Sequence, residues 1–216
     1  MKLNIPSKLS EITLGQYKAY LKVAEEVKEE RMLGASMISI FCNLKMEKVM
    51  LLKLKDSEEI IKMLTNLFES TPNLVRSFKL NGTEYGFLPE LDEMSLGEYI
   101  DVDTYVGDWD NIEKAMNVFY RPILTRLKDK YSVEEYIVGN DKNLLNMPLD
   151  AVLGAVFFLL SLGRDLSLTM MNSSEVEEAM KEALMQQQTL DENGDGGQVY
   201  LDSLKEILQE LKISPN

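Results

Sequence analysis

The chain has 216 residues, 45% of them apolar, and a formal net charge of -13 from 23 Lys and Arg against 36 Asp and Glu. That apolar share supplies a core for one full domain plus an appendage and excludes disorder throughout, while the charge repels duplex nucleic acid and phosphate-rich membrane surfaces as direct partners. Histidine is absent, which removes the usual general base near neutral pH, the usual zinc ligand and every Ser-His or Cys-His nucleophile.

Residues 1–6 carry one lysine and no apolar region of the length a secretory signal needs. At Thr13-Leu-Gly-Gln16 a hydroxyl stands three residues ahead of a glutamine, the spacing of a capping box, and Tyr17, Tyr20, Leu21, Ala24 and Val27 follow at helical spacing. Further helices are predicted over 32–42, 46–54 and 57–68, the last with Asp56 or Ser57 as its cap and Pro72 beyond its end. Cys42, the one cysteine, lies in an apolar run with nothing nearby to lower its pKa, so it reads as a buried thiol of a chain made in a reducing compartment.

Residues 75–88 alternate around Asn81-Gly82, a pair that supplies the two positive φ angles of a tight hairpin turn. After Pro89, Met94-Ser-Leu-Gly-Glu-Tyr99 repeats the first helix start in register, with a second capping box. The stretch 112–127 reads as a helix kinked or ended at Arg121-Pro122, and another helix is expected from Ser132. Met147-Pro148 opens an apolar helix, Ala151 to Leu162, that should be buried at the centre of the core and end at Gly163. It is too short for a bilayer, which takes about 20 apolar residues, so no membrane span is expected.

From Met171 the composition shifts to ten acids against three bases. Two helices there, 174–188 and 199–211, should flank a polar Gly-rich linker. Together these readings predict a mainly α fold: a multi-helix core domain over 1–171 with one β-hairpin at 75–88, then an acidic two-helix C-terminal appendage over 172–216.

Four features bear on chemistry. Asp191, Asn193, Asp195 and Gly196 match the first half of a calcium-binding loop, but Gln198 stands where an apolar residue is usual and the shorter Asp202 where glutamate is. Calcium is therefore a candidate ligand of Asp191, Asn193, Asp195 and Asp202, beside the plain alternative of a flexible connector. The stretch 90–113 holds nine acids and no base; without an accompanying histidine or lysine it reads as a solvated face or a docking surface for a basic partner, ahead of a carboxylate metal centre. Trp109 and Tyr105 within it are candidate partner anchors, with core burial the alternative. Finally, Leu201, Leu204, Leu208 and Leu211 form a seam for one partner helix, either of this chain or of another. No phosphate-binding glycine loop occurs, so no nucleotide or other small-molecule substrate is expected.

Across Met94-Ser-Leu-Gly-Glu-Tyr-Ile-Asp-Val-Asp-Thr-Tyr105, Asp108-Trp109, Lys114-Ala-Met-Asn-Val-Phe-Tyr-Arg-Pro122 and Met147-Pro-Leu-Asp150, the chain resembles proteins encoded among the virion genes of tailed bacteriophages, notably crAss-like phages. A weaker likeness to phage tail assembly chaperones rests on Ser95-Leu-Gly-Glu98 followed by aliphatics and acids. The resemblance covers about residues 10–165 and consists of helix starts and packing residues. It implies a non-enzymatic virion protein, a tail or neck component or packaged cargo, made in the host cytoplasm and acting on other phage structural or assembly proteins. A tail assembly chaperone and a calcium-responsive binding module are the alternatives.

Overall fold

Thr13 opens the first helix as its spacing predicts: its Oγ1 accepts from Gln16 N at 3.2 Å and the Gln16 side chain accepts from Thr13 N at 3.0 Å. The computed structural model describes residues 3–128, 130–141 and 143–173, with side chains to residue 165. The chain divides into two compact units, Met1–Ala155 and Val156–Asn216.

In the first unit, α1 (Leu14–Glu26), α2 (Glu30–Phe41), the single turn α3 (Met46–Val49) and α4 (Leu54–Phe68) come first. They close around Leu14, Ile38 and Leu64, each fully buried, with Phe68 bridging Tyr17 and Phe41 at ring separations of 5.8 and 5.2 Å. The start of α4 differs from expectation. Lys53 occupies the cap position, and Ser57 lies inside the helix, its hydroxyl donating back to Leu54 O at 2.7 Å. Cys42 is buried and burial pushes its thiol pKa up, as its apolar setting predicts.

The hairpin forms as read. Strands β1 (Ser77–Leu80) and β2 (Thr83–Phe87) are antiparallel, and Asn81 and Gly82 between them have φ of 51° and 84°. It is not alone, however, and the mainly α expectation is corrected here. The fold is mixed: β3 (Tyr120–Leu127) and β4 (Lys130–Val133) extend the hairpin into a four-stranded antiparallel sheet of order β1-β2-β3-β4.

The helix expected over 112–127 is α6 (Ile112–Phe119) for its first half only. Pro122 forces Arg121 out of helical geometry and donates no hydrogen bond, so the chain leaves α6 as a strand, with Tyr120, Arg121 and Pro122 opposite Phe87, Gly86 and Tyr85. Ser132 likewise caps nothing. It sits in β4, and its hydroxyl meets that of Thr125 across the ladder at 2.6 Å.

Between β2 and β3 the chain crosses through α5 (Leu96–Tyr105) and α6. The second capping box forms on α5, with Ser95 N and Oγ donating to Glu98 Oε2 at 2.7 and 2.6 Å. Phe87 and Tyr120, paired across the ladder, meet edge to face at 5.3 Å, and Tyr120, fully buried, donates its hydroxyl to Val75 O at 2.8 Å.

Two helix starts are stitched together by an isolated bridge: Leu14 N donates to Met147 O at 3.0 Å and Leu149 N to Ile12 O at 2.9 Å. The second start belongs to α7 (Leu149–Ser173), which straddles the boundary between units. Ala151, Val152, Ala155 and Val156 are buried, but Phe157 and Leu162 are exposed and the helix runs on through Gly163, so only the first half of the expected core helix is core. No described helix is long and apolar enough to cross a membrane. Beyond its first two residues, the appendage expected over 172–216 lies outside the described residues.

Candidate interaction surfaces

The acid-rich stretch 90–113 separates into carboxylates the fold uses and carboxylates it leaves in solvent. Lys18 on α1 meets Glu113 at 2.5 Å and Asp110 O at 2.7 Å. Lys22, one turn on, lies 3.5 Å from Asp110. Asp108 accepts from Asp110 N at 2.9 Å and from the Asn111 side chain at 2.7 Å; the Asn111 bond leads the causes that hold its carboxyl below the usual range. Asp101 accepts from the Tyr136 hydroxyl. Glu98, buried, pairs with buried Arg121 at 3.1 Å. Among the described residues no three His, Cys, Asp or Glu side chains form a group that could hold a metal ion. Glu90, Asp92, Glu93 and Asp103 remain, exposed and, among the described residues, in no ion pair.

Beside these four carboxylates α5 shows an apolar ridge. Leu96, Tyr99 and Ile100 are 64%, 46% and 52% exposed, and positions i, i+3 and i+4 share one helix face. Glu98 and Arg121 fix the helix from its inner side, so the ridge faces out as a consequence of the capping geometry.

A second apolar surface lies where α2, α3 and α4 meet. A groove of about 610 Å³ runs between them, with Gly34, Ile38, Val49 and Ile61 among its lining. At Gly34 α2 and α4 approach closely: a Cβ there would stand 2.6 Å from Ile61 Cδ1, the far end of a side chain that would have to turn aside to admit it. At the mouth, Met50, Leu51 and Leu54 are 52%, 84% and 71% exposed. The single turn of α3 explains this, because a four-residue helix buries one residue, Val49, and turns the apolar residues after it outward. Lys45, Lys48, Lys53 and Lys55 flank them in sequence, with Glu47, Asp56, Glu58 and Glu59 interspersed or directly after, all exposed. The charged side chains that line the groove itself are balanced, Glu30 and Glu58 against Arg31 and Lys62.

Of the predicted site residues, Trp109 is half-buried with its ring edge-to-face on Tyr17 at 5.2 Å, and Tyr105 is half-buried with Lys114 Nζ 4.5 Å from its ring centre. Neither belongs to the ridge or the groove. Asp191, Asn193, Asp195 and Asp202, and the leucines at 201, 204, 208 and 211, lie outside the described residues. The exposed residues around the groove were missed because Val49-Met-Leu-Leu52 reads as helix core; the available signal was that the run is flanked on both sides by lysines, Lys45 and Lys48 before it and Lys53 and Lys55 after it.

Comparison with protein-family models, with curated proteins and with solved structures finds no match for the chain.

Proposed function

We propose that this protein is a non-enzymatic component that works by binding other proteins, in the particle of a tailed bacteriophage or during its assembly. The observation that carries the binding role is the surface at the mouth of the α2–α4 groove. Met50, Leu51 and Leu54 are each more than half exposed and fall within five consecutive positions. Single exposed apolar residues are common on any surface, whereas a contiguous apolar surface ringed by charge is the usual mark of an interaction site. The absence of histidine in the whole chain is in keeping with a role without acid-base chemistry near neutral pH.

The phage context rests on the resemblance of residues 94–122 and 147–150 to virion-gene proteins. Quantitative mass spectrometry of purified particles, beside the infected-cell lysate, tests it. A virion component is present in the particle at a defined copy number. A tail assembly chaperone, the alternative reading, is abundant in the lysate and missing from the particle. Detection in neither fraction contradicts both.

A further inference from the structure

Helix α5 is built inside out. The residue it buries is a glutamate, Glu98, while Leu96, Tyr99 and Ile100 lie in solvent. A surface helix ordinarily turns its apolar stripe to the core and its charges to water. Here Glu98 and Asp101, three positions apart and so on one side, face inward and are satisfied there by Arg121 and the Tyr136 hydroxyl. The inner side of α5 is thus committed to polar partners of its own chain, and its apolar side is left without any.

Gly97 adds a second observation. A Cβ at this position would meet nothing within 4 Å, and Gly97 is not among the glycines with positive φ. Neither packing nor backbone conformation within the chain calls for glycine there, although glycine lowers the stability of a helix relative to residues with a side chain. A glycine on an exposed helix side, three positions before Ile100, lets the backbone of a second element come close.

We propose that the outer side of α5 is the docking surface for a helix of another protein, apolar along one side and lined with lysine or arginine at the margins of that side. This deepens the reading of the chain as a protein-binding component by giving the chemistry of a partner at a surface separate from the groove mouth. The charges select that partner. No lysine or arginine occurs from Glu90 to Glu113, a stretch with nine acids. Glu90, Asp92 and Glu93 precede the apolar side and Asp103 continues it, four positions after Tyr99; all four are exposed and, among the described residues, in no ion pair. A basic margin on the partner meets these carboxylates as the apolar centres close, which speeds the encounter and fixes its register. A second copy of the same face would set these acids against their own kind, and an anionic membrane would be repelled by them.

The probe is a synthetic helix of about 14 residues, with leucines along one side and lysines beside them, titrated into the full-length protein and followed by fluorescence anisotropy. The wild type should bind it, more weakly as salt rises, and should bind the same peptide with glutamate for lysine at least tenfold less tightly. Leu96→Ser with Ile100→Ser should weaken binding roughly tenfold, and Glu93→Lys with Asp103→Lys by a similar factor. Glu25→Lys with Glu26→Lys, exposed on α1 and equal in charge change, should leave it unaltered. Gly97→Gln should raise the melting temperature and still weaken binding, a combination that a purely structural glycine does not give. Should the serine variant unfold by circular dichroism, Gly97→Gln and the charge variants carry the test. Equal weakening by the α1 control would show attraction to an acidic chain at large and overturn the proposal. So would tight binding retained by Gly97→Gln, or self-association of the wild type in sedimentation velocity that the serine variant loses. A wild type that ignores the peptide yet captures phage proteins through Met50, Leu51 and Leu54 overturns this contact and leaves the binding role standing.

Discussion

Glu98 and Arg121 meet at 3.1 Å with side chains only 9% and 10% exposed, and the same Glu98 carboxylate caps α5 through Ser95. One side chain therefore ties the helix carrying the exposed ridge to the third strand of the sheet. Glu98→Leu removes the cap and leaves a guanidinium without its counter-charge in a buried site, which should destabilise the fold by about 3 kcal/mol in urea unfolding. Adding Arg121→Met should recover most of the loss, because two apolar chains satisfy the site better than one stranded charge. A loss below about 0.5 kcal/mol for the single change would show that the pair is solvated.

Gly86 and Tyr131 are coupled by space. A Cβ at Gly86 would stand 2.5 Å from Tyr131 Cε2, and the Tyr131 hydroxyl straps the hairpin by donating to Phe87 O at 2.7 Å and Arg76 O at 3.0 Å. Gly86→Val should cost about 2 kcal/mol by displacing that ring. In a Tyr131→Ala background the same change should cost clearly less, a coupling that a double-mutant cycle reads directly. Equal costs in both backgrounds would mean that Ile123, the other neighbour of this position, sets the limit.

The alkaline limb of stability should be steep. Burial raises the pKa of Tyr120, Tyr131 and Tyr136 above the ordinary 10.0, and at Tyr136 the hydrogen bond to Asp101 adds to it. A folded pKa above the unfolded one means that this stability is complete below pH 10.0 and is lost as pH climbs towards the folded values. Tyr120→Phe, which gives up the bond to Val75 O, should cost about 1 kcal/mol at neutral pH. It should also flatten the loss at high pH in thermal unfolding. Curves for wild type and variant that stay parallel through the alkaline range would contradict this.

The structure shows which features of the chain could be read in advance. Both capping boxes and the Asn81-Gly82 turn form as their spacing predicts, since each is decided by residues within four positions of one another. The second half of the sheet was not legible. Tyr120-Arg121-Pro122 follows an amphipathic helix without a break in polarity, and its strand pairing with Phe87 depends on residues more than thirty positions away. Long-range pairing also hid the role of Lys18, whose partners Asp110 and Glu113 looked in sequence like part of an uncompensated acidic run. The groove was hidden for a third reason: an apolar run is evidence of burial only when the element is long enough to have an inside, and α3 is one turn.

The claim that the protein acts by binding others through its uncovered apolar residues is tested most directly by a paired pull-down from phage-infected cells. One bait is the wild type; the other carries Met50→Ser, Leu51→Ser and Leu54→Ser, which remove apolar surface already in solvent and should shift the melting temperature little. The account predicts that the wild type retains identified phage structural or assembly proteins and that the triple variant loses most of that set at unchanged melting temperature. Retention of the same proteins by both baits, or of no phage protein by the wild type, would contradict it.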